Sequence, residues 1–153
     1  MAVRAVNPLK SLKMTRIDFY TNVAQPQEFA CKLAATVFRK QERLLVWLED
    51  ERALDTFSNR LWCLGDTQFI AHCRLDAAEA AQTPIWLTAE LPPALQHPVL
   101  LNLGAELPPA PQHFSRILEI VGSDEAALAT ARHRFKAYRT LGCEIQHHDM
   151  SHK

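Results

Sequence analysis

The side chains best suited by type and spacing to do chemistry lie in one stretch, Asp124 to Gly142, DEAALATARHRFKAYRTLG. Arg132, Lys136 and Arg139 follow one another at spacings of four and three, so on a helix they form one cationic stripe. Leu128, Ala131, Phe135 and Tyr138, at three, four and three, form an apolar stripe that reads as a core face. The stripes lie less than a quarter turn apart, so cations rim the buried face instead of opposing it. Such an edge suits a ligand both anionic and greasy, for instance an acidic peptide with a hydrophobic end. It equally describes the solvated basic flank of an ordinary amphipathic helix, and the pattern alone leaves both readings open.

Other constellations carry less. Glu49, Asp50 and Glu51 supply adjacent carboxylates, which the start of a helix explains without catalysis. Cys63 with His72 and Cys73, and Cys143 with His147, His148 and His152, lack the paired short spacings of structural zinc sites, so no metal is expected. A cysteine nucleophile served by His72 or His113 has no local signature around it. Gly65, Gly104, Gly122 and Gly142 stand alone, which leaves out a dinucleotide fingerprint and a P-loop, and a G-x-S-x-G elbow is missing. The expectation is a protein without catalytic residues or cofactor. A small α/β nucleotide binder or enzyme is the alternative. Direct binding of single-stranded DNA through Arg132, Arg134, Lys136 and Arg139 ranks below peptide binding. The cluster is narrow, and seventeen acids balance seventeen bases.

The elements that must position these groups follow from periodicity. At 153 residues, 48% of them hydrophobic, the chain suits one core and one domain. No apolar run has the length of a membrane span and no secretory signal opens the chain, so a cytoplasmic protein without membrane contact is expected. Its four cysteines read as thiols, not disulfides. Residues 1–13 read as a loose extension, 14–147 as the domain and 148–153 as a frayed tail.

Thr15 to Tyr20 alternates as a strand. Pro26 to Gln41 is a helix with Pro at its start, and Leu44 to Leu48 is an apolar run typical of a strand covered on both sides. Asp50 caps a helix lined by Leu54, Phe57 and Leu61 and ending at Trp62. Gly65 and Asp66 turn the chain, Gln68 to His72 is a short strand, and Cys73 to Thr83 has no assignable period. Strands are read at Pro84 to Thr88, Pro98 to Leu103, Arg116 to Val121 and Cys143 to His147. AELPPALQH at 89–97 and AELPPAPQH at 105–113 agree at eight of nine positions and read as proline-stiffened connections. The resulting fold is α/β, a mixed and mostly parallel sheet flanked by helices on both faces, Rossmann-like without a nucleotide-binding motif.

Three pieces, RIDFY, LLVWLEDERALDTFSNRLW followed by Phe69 and His72, and ARHRFKAYRTLG, together resemble the chi subunit family of bacterial DNA polymerase III. The resemblance runs from about Met14 to Ile145. Its most specific part is Arg132, Arg134, Phe135, Lys136, Tyr138, Arg139 and Gly142. It implies a non-catalytic accessory subunit of the clamp-loader complex in DNA replication. The implied partners are psi, the acidic C-terminal tail of single-stranded-DNA-binding protein, which ends in a proline-phenylalanine carboxylate, and in some bacteria a helicase-like protein. DNA would be touched only indirectly. The implied tail site is Val121, Arg132, Phe135, Lys136 and Arg139, and the implied psi or helicase surface is Trp62 and Phe69. Two departures stand out. Phe135 often appears as tyrosine in the family, and Leu128 stands where a further base can occur.

Overall fold

A computed structural model of the chain describes residues 14–64 and 69–151. Strand β1 (Arg16–Val23) leads to helix α1 (Pro26–Arg39), β2 (Leu44–Leu48), α2 (Glu51–Trp62) and β3 (His72–Arg74). Then come β4 (Ile85–Thr88), β5 (His97–Leu103), β6 (Phe114–Gly122), α3 (Glu125–Thr140) and β7 (Glu144–Asp149). The strands form one sheet in the order β3-β4-β2-β5-β6-β1-β7, and every pairing is parallel. The expected α/β class is what is seen, with the pairing parallel throughout where a mixed, mostly parallel sheet was expected. The connections explain it. Among the described residues no tight hairpin turn joins neighbours; three helices, the two proline-rich segments and residues 75–84 carry the chain back to the same end of the sheet before each new strand.

The chain's local chemistry accounts for the helices. Pro26 opens α1, and Ala30, Cys31, Ala34, Ala35 and Val37 form its buried face. The Asp50 carboxylate accepts from Ala53 N at 2.8 Å to cap α2, and the Asp124 carboxylate accepts from Ala127 N at 2.9 Å to cap α3. Gly142, at φ +83°, ends α3 in a conformation that side-chain-bearing residues resist. β2 has the two-sided burial its apolar run predicts. Leu44, Val46 and Leu48 face α1 and α2, while Leu45 joins the opposite core with Ile17, Phe19, Ile117 and Tyr138 of α3. All four cysteines are free. Only Cys31 is fully buried, and burial pushes its thiol up to about 11; Cys63 is exposed.

Several boundaries differ from expectation, those of β3 and β7 among them. β3 starts at His72 rather than ending there, and residues 65–68, which include the expected Gly65–Asp66 turn, lie outside the described residues. β7 continues through His148 to Asp149, into the stretch read as tail, because His148 has partners on β1. Its Nε2 lies 2.8 Å from Asp18 Oδ1 and its ring stacks on Tyr20 at 4.8 Å. Asp18 is fully buried and also accepts from Arg116 Nε at 2.6 Å and from Arg16 Nη2 at 3.1 Å, so one carboxylate ties β1, β6 and β7 together.

Burial works to raise the Asp18 carboxyl, but the hydrogen bonds of His148, Arg116 and Arg16 and the Arg116 charge outweigh it and hold the group below the ordinary 3.8. A depressed carboxyl stabilises the fold above its unfolded value and loses that contribution as pH falls through the folded one. Asp18→Asn is therefore expected to cost about 2 kcal/mol at neutral pH. Its deficit should shrink as acid titrates the wild type below 3.8. Urea unfolding from about pH 7 to pH 3 checks this; a deficit that stays constant would refute the assignment.

Candidate functional site

The face of α3 read as core divides in two. Tyr138 is fully buried, and its hydroxyl donates to Glu119 Oε2 at 2.6 Å. Glu119, itself buried on β6, also accepts from Arg134 Nη1 at 2.7 Å and Asn102 Nδ2 at 2.9 Å, and Arg134 Nη2 reaches the Gly104 carbonyl at 3.0 Å. Burial pushes the Glu119 carboxyl up against the opposing pull of Arg134 and the hydrogen bonds. Burial, with the neighbouring Glu119 charge, drives the Tyr138 hydroxyl upward too. Arg134, counted by sequence with the basic cluster, is thus spent inside the fold.

Phe135, on the same stripe, is 42% exposed. The reason is the end of the sheet: β7 is the last strand, and beyond it no described strand carries the sheet on beneath the outer side of α3. Phe135 instead forms a wall of an apolar pocket of about 330 Å³ between the helix and the sheet. α3 contributes Leu128, Ala131, Arg132 and Phe135, β6 contributes Val121, and Phe19 and Thr21 of β1 with Ile145 and His147 of β7 complete it. The Phe135 ring sits 6.1 Å from that of Phe19. Three residues of the expected tail site, Val121, Arg132 and Phe135, meet here. Lys136 and Arg139 lie exposed along the same helix edge without lining the pocket. None of these three cations makes a hydrogen bond or ion pair with the described residues.

Sequence reasoning missed Phe19, Thr21, Ile145 and His147. Alternation does place Ile17, Phe19 and Thr21 on one face of β1, and Ile145 and His147 on one face of β7. What it lacks is adjacency, supplied by the parallel register Ile17↔Ile145 and Phe19↔His147.

The two residues of the second expected surface lie against each other. Trp62 and Phe69 are 49% and 66% exposed with their centroids 5.0 Å apart, and Trp62 covers His72 at 4.4 Å. Burial lowers the His72 pKa and keeps the ring neutral. Because the Ile70 carbonyl can only accept, Nδ1–H donates to it at 2.8 Å and Nε2 accepts from the Ser58 hydroxyl at 2.9 Å. Both ring nitrogens are engaged in fixing the platform beneath Trp62, which leaves neither to serve a cysteine.

A larger crevice of about 480 Å³ lies off the C-terminal ends of β2 and β5, where doubly wound sheets hold nucleotides. Arg52 and Arg60 line it, together with Glu49 and Asp50. A phosphate at the start of α2 would meet the Asp50 carboxylate, already bonded to the first-turn amide of Ala53.

The family described as DNA polymerase III chi subunit, HolC, matches residues 14–146. The chain belongs to that family. It is 34% identical over 139 residues to DNA polymerase III subunit chi of Pseudomonas aeruginosa, covering 88% of this chain and 96% of the relative. Identity to the Haemophilus influenzae subunit chi is 32% over 120 residues, 78% of this chain and 83% of the relative. To that of Escherichia coli it is 22% over a similar span, 78% and 82%. The chi family match thus takes in six of the seven strands, all three helices and both surfaces, and ends within β7, one residue before His147.

Proposed function

We propose that this chain serves DNA replication as a non-catalytic accessory subunit of the DNA polymerase III clamp-loader complex. Its α3 pocket takes the acidic C-terminal tail of single-stranded-DNA-binding protein, and its Trp62–Phe69 surface takes psi or, in its place, a helicase-like protein. The observation that carries the tail assignment is the pairing of an open apolar pocket with cations that have no counter-ion among the described residues. Val121, Leu128 and Phe135 offer a basin for a terminal ring, and Arg132, Lys136 and Arg139 offer charge to carboxylates beside it. Membership of the chi family and the resemblance in ARHRFKAYRTLG support the same ligand. For the second surface, two large exposed rings in mutual contact, held on a fixed imidazole, are the kind of anchor that partner interfaces use.

The charges lie at the rim in water, so tail affinity should be modest and fall with salt. A labelled acidic peptide ending in a Pro-Phe carboxylate, titrated against wild type and Lys136→Glu by fluorescence anisotropy, tests the reading. The variant is expected to bind about fivefold to tenfold more weakly, and equal binding by both would sink the assignment. Retention of an oligonucleotide by the chain alone would favour direct DNA binding instead.

A further inference from the structure

The α3 pocket carries polar atoms on two sides. Arg132 brings a guanidinium from the helix; the sheet brings Thr21 and His147, whose Oγ1 and Nε2 are 2.6 Å apart. Since β7 is the edge strand, His147 is exposed as well as pocket-lining, and its Nδ1 has no partner among the described residues. Leu128 lines the same pocket, so Arg132 is the one cation that the helix places in its lining, and His147 faces it from the strand.

We propose that His147 is the second cation of this pocket, contacting the carboxylates of a bound acidic C-terminal peptide and tightening the grip as pH falls from about 8 to about 6. This inference rests on the tail-binding reading above. Protonation leaves the local bonding intact. Nε2–H then donates to Thr21 Oγ1, and that hydroxyl is free to donate to the His148 carbonyl, 3.4 Å away.

The charged groups around the ring set the coupling. From α3, Arg132 is the charged residue lining the pocket, with Lys136 and Arg139 further along the edge. β1 presents only Phe19 and Thr21 to it, and no strand flanks β7 on its other side. Two residues on, Asp149 is engaged with Asn22 Nδ2 at 2.9 Å and Ser151 N at 3.0 Å. A bound carboxylate thus meets Arg132 from the helix and, once the ring is protonated, His147 from the strand.

The test titrates the labelled Pro-Phe-ending peptide at pH 8 and pH 6, at constant ionic strength, against wild type, His147→Gln and His133→Gln. His133 is an exposed α3 histidine beside Arg132 and serves as control. Wild type should bind about threefold to fivefold tighter at the lower pH; His133→Gln should keep that gain and His147→Gln should lose it. The NMR resonances of the His147 ring should shift when peptide is added to wild type at pH 6. A flat wild-type profile, or a gain that survives in His147→Gln, overturns the inference while leaving tail capture standing. No wild-type binding at either pH removes both.

Discussion

Arg132→Glu should abolish measurable capture of the acidic tail peptide, with affinity falling about a hundredfold, while the protein unfolds at the wild-type temperature. The affinity estimate combines two losses. A guanidinium–carboxylate contact is worth about 1.5–3 kcal/mol, and the substituted carboxylate then repels the ligand's acids at a pocket lined mostly by apolar side chains. The stability estimate follows from exposure: Arg132 makes no ion pair or hydrogen bond with the described residues, so its replacement should stay within about 0.5 kcal/mol of wild type. Trp62→Ala, on the other surface, should leave tail affinity unchanged and weaken psi binding instead. Anisotropy titrations and thermal melts of the two variants separate the surfaces. Wild-type tail affinity in Arg132→Glu, or its loss in Trp62→Ala, is the result that breaks the two-surface scheme.

What sequence made visible about this site, and what it hid, divides along local and non-local physics. The ends of α3 were legible to within a residue because caps are local: Ser123, Asp124 and Glu125 mark the start, where Asp124 proves to be the cap, and Gly142 marks the end. The stripe from Leu128 to Tyr138 was legible as a face but not in its fate. Tyr138 is sealed while Phe135 opens to solvent, a difference set by where the sheet stops. The two strands flanking the pocket, β1 and β7, are separated by most of the chain, and only their register places His147 beside Phe19. Trp62 is visible as a helix end, yet its surroundings depend on Phe69 and His72, which come later in the chain. The region from Cys73 to Thr83 escaped assignment because it holds one residue pair of an edge strand and a single 3-10 turn, Ala80–Gln82, too short for any period to show.

Arg134 is the instructive misreading, and it carries the largest expected effect on stability. It stands in the basic run of α3, but a glutamate inside the apolar ILEIV of β6 was the signal that one of those bases has an internal partner. Removing that partner strands a fully buried carboxylate whose remaining contacts are the Tyr138 hydroxyl and the Asn102 amide. Arg134→Met should therefore destabilise the fold by about 3–5 kcal/mol. In a chain of this size that lowers the unfolding midpoint by about 10–15 °C. The pH dependence has a definite sign. Burial already holds the Glu119 carboxyl above the ordinary 4.5, and losing the Arg134 charge raises it further. A raised carboxyl binds its proton more tightly in the folded than in the unfolded chain, so the variant's deficit should grow as pH rises above 4.5 and shrink in acid. Adding Glu119→Gln to Arg134→Met removes the stranded charge while keeping an acceptor for Tyr138, and should recover about half of the loss. Additive destabilisation in the double variant would mean that the two side chains act independently. Recovery would show that Arg134 neutralises Glu119 and leaves the outer cations of α3 for the ligand.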